Sequence, residues 1–227
     1  MTNTENNIAF LRERIEYLAE FMTPERLETL KKTLSMRTKE MTILTENTFH
    51  SQNASALVRH CEAFGLQHLH AIEDLCHFKP HVDIARGSDK WIDIKRYTNT
   101  TDALAALKAE GYRIVATTPH REDHTPESFD VAAGRFALVF GTEHAGISDE
   151  VKAAADDFVR IPMCGMVESL NVSASAAILI YMLSERLRQS TDGWQLSEEE
   201  SAEILYRWML SSIKDSERIL KRKFETI

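Results

Sequence analysis

Glycine, proline and cysteine are all scarce in this 227-residue chain, at 8, 5 and 3 residues. So few chain breakers leave no long flexible linker and no low-complexity arm. The cysteines, Cys61, Cys76 and Cys164, are odd in number, unevenly spaced and never arranged C-x-x-C, which argues against a disulfide framework or a cysteine-based zinc site. No apolar run reaches the roughly 20 residues of a membrane span. The opening MTNTENNIAFLRER lacks the basic and apolar regions of a secretory signal, so a cytoplasmic protein without a membrane partner is expected. Nucleotide and hydrolase signatures are missing too. The glycines never fall as G-x-G-x-x-G, and G-x-x-x-x-G-K-[ST], G-x-S-x-G and H-E-x-x-H do not occur, which counts against a Rossmann dinucleotide enzyme, a P-loop NTPase and the commonest hydrolases.

What remains is an ordinary globular composition, 43% hydrophobic and 27% charged, with a formal net charge of -8. That charge opposes non-specific coating of nucleic acid, but it averages unlike regions. Lys31, Lys32, Arg37 and Lys39 form one basic stretch and Lys214, Arg218, Lys221, Arg222 and Lys223 another, while residues 143 to 157 are acidic. Such clusters are usually solvated helix faces unless the protein handles RNA.

The patterning divides the chain into a helical extension over 1–40, a main domain over 41–190 and a helical tail over 191–227. Ile8, Leu11, Ile15 and Leu18 repeat at helical spacing; Thr23 and Pro24 then open a second helix with Leu27, Leu30 and Leu34 on one stripe. From Met41 onward, short β-rich runs (MTILTEN, HLHAIE, IDIKRYT, YRIVATT, FALVFGT, FVRIPM) alternate with helical stretches. The alternation predicts an α/β domain with a mostly parallel sheet. A helix from Asn171 to about Arg188 is apolar nearly all round its first half and needs cover on both sides. The tail opens with the capping box Ser197 to Glu200.

Three segments fall at the carboxyl ends of predicted strands, where open α/β sheets bind ligands: TTPH (Thr117, Thr118, Pro119, His120), FGTEHAGIS (140–148, with Gly141 and Glu143) and IPMCGMVESLNVSASAA (161–177). Their backbone groups could hydrogen-bond a heterocycle while Ile161, Met163 and Leu170 clamp its faces. The plainer reading is turn chemistry, with Gly141, Gly146 and Gly165 at positive φ and Asn171 as a helix cap. His68, His70, Cys76, His77 and His81 match no standard zinc spacing, so no metal site is expected.

The segments QNASALVRHCEAFG, GSDKW, LVFGTEHAGIS and IPMCGMVESLNVSASAA occur in this order, and together they resemble the SpoU/TrmH family of SPOUT-class RNA ribose 2′-O-methyltransferases. The resemblance spans about residues 25 to 210, and its terminal helices without an added RNA-binding domain are similar to the family's tRNA guanosine-18 enzymes. It implies a C-terminal deep trefoil knot, which general topology rules would not predict, and S-adenosylmethionine held by the three loops. It also implies a homodimer and methylation of a guanosine ribose in tRNA, at position 18 of the D-loop. Carried over residue by residue, Arg59 matches the catalytic arginine, Asn53 the first-motif asparagine, Glu143 the second-motif glutamate, and Ser169 with Asn171 the third-motif pair. Lys90, Lys31 and Lys32 join Arg59 as candidate RNA contacts.

Deprotonating an arginine of pKa about 12.5 at pH 7 costs on the order of 7 kcal/mol. Arg59 is therefore read as a cation gripping the target phosphate rather than as the base. Two alternatives stay open: the same chemistry on ribosomal RNA, and a catalytically silent RNA-binding factor on this scaffold.

Overall fold

The computed structural model describes residues 3–121, 123–142, 144–190 and 192–224. In chain order, α1 (Asn3–Ala19) and α2 (Pro24–Leu34) precede β1 (Met41–Glu46), α3 (Ser51–Ala63), β2 (His68–Ile72), α4 (Val82–Ala85) and β3 (Asp93–Tyr97). There follow α5 (Thr100–Ala109), β4 (Arg113–Thr117), β5 (Phe136–Phe140), α6 (Asp149–Ala154), β6 (Asp157–Val159), α7 (Val172–Ser190), α8 (Glu198–Ser212) and α9 (Ser216–Phe224). The chain divides into two compact units, one from residues 38 to 194 and one joining residues 1–37 to residues 195–227. The helical extension and the tail, far apart in sequence, thus form a single unit.

The larger unit is built on a six-stranded sheet in the order β3-β2-β1-β5-β4-β6, with every pairing parallel. Both faces are covered, so the central strands are apolar on both sides. Along β1 and β5, Met41, Ile43, Phe136, Leu138 and Phe140 join one core with Leu57 and Val58 of α3 and Leu179, Ile180 and Leu183 of α7. Leu44, Ala137 and Val139 point the other way, toward Leu104 and Leu107 of α5 and Val151 of α6. This period-two division is what an α/β/α sandwich requires.

The strand order has one feature that positions the site. From β1 the chain steps outward through β2 and β3, then returns to build β4 and β5 on the other side of β1. Chain directions therefore diverge at β1 and β5, and the crevice beyond their carboxyl ends is the expected ligand position in such a sheet.

α7 is buried along Ala176, Leu179, Ile180, Leu183 and Leu187, but its outer face is not fully covered. Tyr181 is 54% exposed, and Val172, Ala177, Ile178 and Met182 are only half-buried.

In the smaller unit, the Thr23 hydroxyl accepts from the Arg26 amide at 3.2 Å and Pro24 occupies the first turn of α2. In α8, Ser197 and Glu200 close the capping box in both directions, at 3.2 and 2.9 Å. Asn7 of α1 donates to Glu199 of α8 at 3.1 Å. Arg37 departs from the sequence reading that grouped it with exposed bases: it is fully buried, its guanidinium 5.2 Å from the centre of the Trp208 ring. Lys31 and Lys32 are exposed. Among the described residues no helix is long and apolar enough to cross a membrane.

Candidate active site

The loops after β4, β5 and β6 converge on one cavity of about 560 Å³ at the carboxyl edge of the sheet, well within the size range of small-molecule sites. Thr117, Thr118, Pro119 and His120 form one wall, Gly141 another, and Ile161, Met163, Ser169, Leu170 and Asn171 a third.

Each loop is fixed by its own hydrogen bonds. The Thr117 hydroxyl donates to the Val139 carbonyl at 2.8 Å, tying the end of β4 to β5. Beyond β5, Thr142 and Gly146 exchange backbone hydrogen bonds at 2.9 and 3.0 Å, closing a tight turn. The Ser148 amide that follows donates to the buried Glu46 carboxylate at 2.9 Å. Gly146 has φ +68°, as the turn reading expects, whereas Gly141 and Gly165 do not have positive φ. Gly141 is constrained for another reason. A Cβ there would fall inside the backbone of Gly146 and Ile147.

Asn171 caps α7. Its side-chain oxygen accepts from the Ser173 amide at 2.8 Å and the Ser173 hydroxyl at 2.6 Å, and its side-chain nitrogen donates to Asn53 Oδ1 at 3.3 Å. Asn53 is buried on α3, so this bond joins the first helix of the unit to the start of the last. Arg59, also on α3, is exposed and does not line the cavity; its Nη1 donates to the Ile84 carbonyl at 3.3 Å. Lys90 is exposed in the short 3₁₀ turn Ser88–Lys90. Lys31 and Lys32 belong to the other unit. Glu143 lies outside the described residues.

The cavity also contains groups that the sequence reading passed over. His144, Lys152, Arg160 and Glu168 line it, giving it charges of both signs. Arg160 was reachable in principle, since it directly follows β6, but an isolated basic residue in a run of loop carries no periodic signal. Lys152 sits in an otherwise acidic stretch, and its Nζ pairs with Asp149 at 2.8 Å.

Two members of the histidine cluster lie inside the sheet. His68 and His70 are both buried on β2, and the Nδ1 of His70 sits 2.9 Å from the Tyr97 hydroxyl with the two rings stacked. Burial first, and then the positive charge of Lys95, pushes His68 down to about 4 and His70 to about 3. Among the described residues no three histidine, cysteine or carboxylate side chains converge to hold a metal.

The profile of the SpoU rRNA Methylase family matches residues 40–181. The chain belongs to this family. Among SpoU proteins, it is 37% identical to the tRNA (guanosine(18)-2′-O)-methyltransferase of Borreliella burgdorferi, across 89% of this chain and 92% of that one. The crystal structure of the Aquifex aeolicus TrmH/SpoU tRNA modifying enzyme superposes with a TM-score of 0.73 at 32% identity, covering 84% of this chain and 98% of the other. By contrast, the similarity to a Burkholderia 23S rRNA (guanosine-2′-O-)-methyltransferase, also 37% identical, covers 46% of this chain and 40% of that protein.

Proposed function

We propose that this SpoU enzyme transfers the methyl group of S-adenosylmethionine to a guanosine ribose 2′-oxygen in tRNA, at position 18 of the D-loop. One observation carries the choice of tRNA: the likeness to the tRNA enzyme covers about nine tenths of both chains, whereas the ribosomal RNA enzyme is matched over less than half.

The cavity fits the methyl donor. Its volume of about 560 Å³ accommodates a nucleoside bearing an amino-acid tail, the strand-end loops offer backbone groups to the adenine, and Ile161, Met163 and Leu170 flank it with apolar surface. Arg160 and Glu168 are complementary to the carboxylate and ammonium of the tail. When bound, S-adenosylmethionine supplies an electrophilic sulfonium methyl. The protein's task is to present the 2′-oxygen to that methyl in line, to exclude water and to manage one proton. Arg59⁺ grips the phosphate of the target nucleotide, stabilising charge that develops in the transition state, and a phosphate oxygen or water takes the proton. Asn53 and Asn171, already bonded to each other, position the loop that carries Ser169. Glu143 completes the catalytic set in this proposal.

Three further features belong to the same reading. The half-covered face of α7, with Tyr181 and the exposed Met166 and Val167 before it, supports a homodimer. A C-terminal trefoil knot is supported by the path of the chain, which returns from edge strand β6 to lay α7 against α3. There Arg186 binds the Pro126 and Phe129 carbonyls of the β4–β5 loop at 2.5 and 2.8 Å. Residues 41–190 act as the catalytic domain and the helices of 1–40 and 191–227 as its RNA-facing flanks, in the cytoplasm. The decisive experiment is methylation of bulk tRNA and of ribosomal RNA with labelled donor, followed by mapping of the modified nucleotide. Labelling confined to guanosine-18 of tRNA is expected, and labelling confined to ribosomal RNA would overturn the proposal.

A further inference from the structure

A second, smaller cavity of about 290 Å³ opens beyond the carboxyl end of β1. It shares Gly141, Thr142, His144 and Val172 with the larger one, so the two meet along a common wall. Its remaining lining is the segment Asn47 to His50, which is held rigidly. Asn47 adopts φ +44°, its amide donates to Ile72 at 3.1 Å, and its side-chain oxygen accepts from the Leu75 amide at 2.7 Å. Thr48 and Thr45 share a hydroxyl contact at 2.5 Å. Asn47 and Thr48 are buried, yet the next residue, Phe49, is 57% exposed.

An aromatic ring held in solvent by a hydrogen-bonded loop, beside a cavity of about 290 Å³ with room for a purine base, has the properties of a stacking platform. Single-stranded RNA is recognised mainly by bases splayed out of their stack onto such rings. We infer that this smaller cavity receives the purine base of the target nucleotide, stacked on Phe49, while its ribose spans the common wall toward the methyl donor. The inference rests on the methyltransferase reading and adds to it a site and a positioning residue. His50 and His144 at the rim are placed to meet the polar edge of the base, and Gly141 keeps the wall between the two cavities thin.

The test uses the full-length protein and a tRNA transcript bearing either guanine or an abasic ribose at the target position. Base stacking on one aromatic ring corresponds to roughly 5- to 150-fold in affinity. Phe49→Ala is expected to lower kcat/KM for the guanine transcript by a factor in that range, to leave the abasic transcript unchanged and to keep S-adenosylmethionine affinity at the wild-type value by calorimetry. Phe49→Trp is expected to restore the rate to within about threefold. An active wild type with an indifferent Phe49→Ala would overturn the base site alone. So would equal losses on both transcripts, or a loss that Trp does not rescue, because these mark a merely structural ring. A wild type inert on every RNA would sink the functional reading and the base site with it.

Discussion

A Cβ at Gly141 would fall inside the Gly146–Ile147 backbone, so Gly141→Ala forces the β5–α6 turn apart at the wall of the cavity. The expected result is loss of S-adenosylmethionine binding by at least tenfold in calorimetry with the melting temperature lowered, since a backbone clash has no flexible side chain to absorb it. Unchanged donor affinity would show that the turn can shift freely. Arg59 makes the complementary case. It stands apart from the donor cavity, so Arg59→Ala should cost roughly 10²- to 10³-fold in methyl transfer, as removal of one transition-state donor does, with donor affinity intact. Arg59→Lys should recover only part of the rate, because it keeps the charge and loses the two-pronged grip on phosphate proposed for Arg59. A fully active Lys variant would show that charge alone suffices. Arg37 shows what residue-level reading misses. Its place in a basic stretch said solvent, but its burial over Trp208 is set by a residue at the far end of the chain.

Strand β2 carries a charge problem of its own. His68 and His70 titrate near 4 and 3 in the fold, chiefly because burial disfavours the charged ring, and near 6.5 in an unfolded chain. Between those values the unfolded chain binds protons that the folded one refuses, so stability is full above about pH 6.5 and falls as pH drops through that window. At pH 5 each histidine withdraws about 2 kcal/mol. Melting temperature should therefore fall from pH 7 to pH 5, with a shallower slope in His70→Gln; an unaltered slope would refute the assignment. The strands themselves were legible because short β-rich runs alternated with helical stretches and ended at turn residues, and three strand-end loops could be named from that alone. The neighbour order was not legible, since nothing in the local pattern of β5 says that it lies between β1 and β4. The helical turns within 82–90 were not legible, because four-residue α4 and the 3₁₀ turn after it are too short to show a period. Gly141 was read as a turn glycine, when the constraint is a close approach by residues already further along the chain.

At the scale of the whole molecule, the uncovered face of α7 leads to a test of assembly. Sedimentation at micromolar concentration should return twice the chain mass, and Tyr181→Glu, which places a charge on that face, should shift it toward one chain mass with helicity retained. A wild type sedimenting as a single chain would remove the dimer from the proposal. The sheet order has another consequence, in time rather than space. β5 is synthesised after β4 yet must enter between β4 and β1, and the Asn53–Asn171 bond closes a loop of more than a hundred residues. Long-range parallel pairings of this kind are slow to form. A chain still emerging from the ribosome, with everything through β6 already made, has two of the three cavity walls and no Asn171 to join α3 to α7; the cavity is complete only once the residues after Val159 are in place, so the methyl donor is a ligand of the finished domain and not a guide to its early folding.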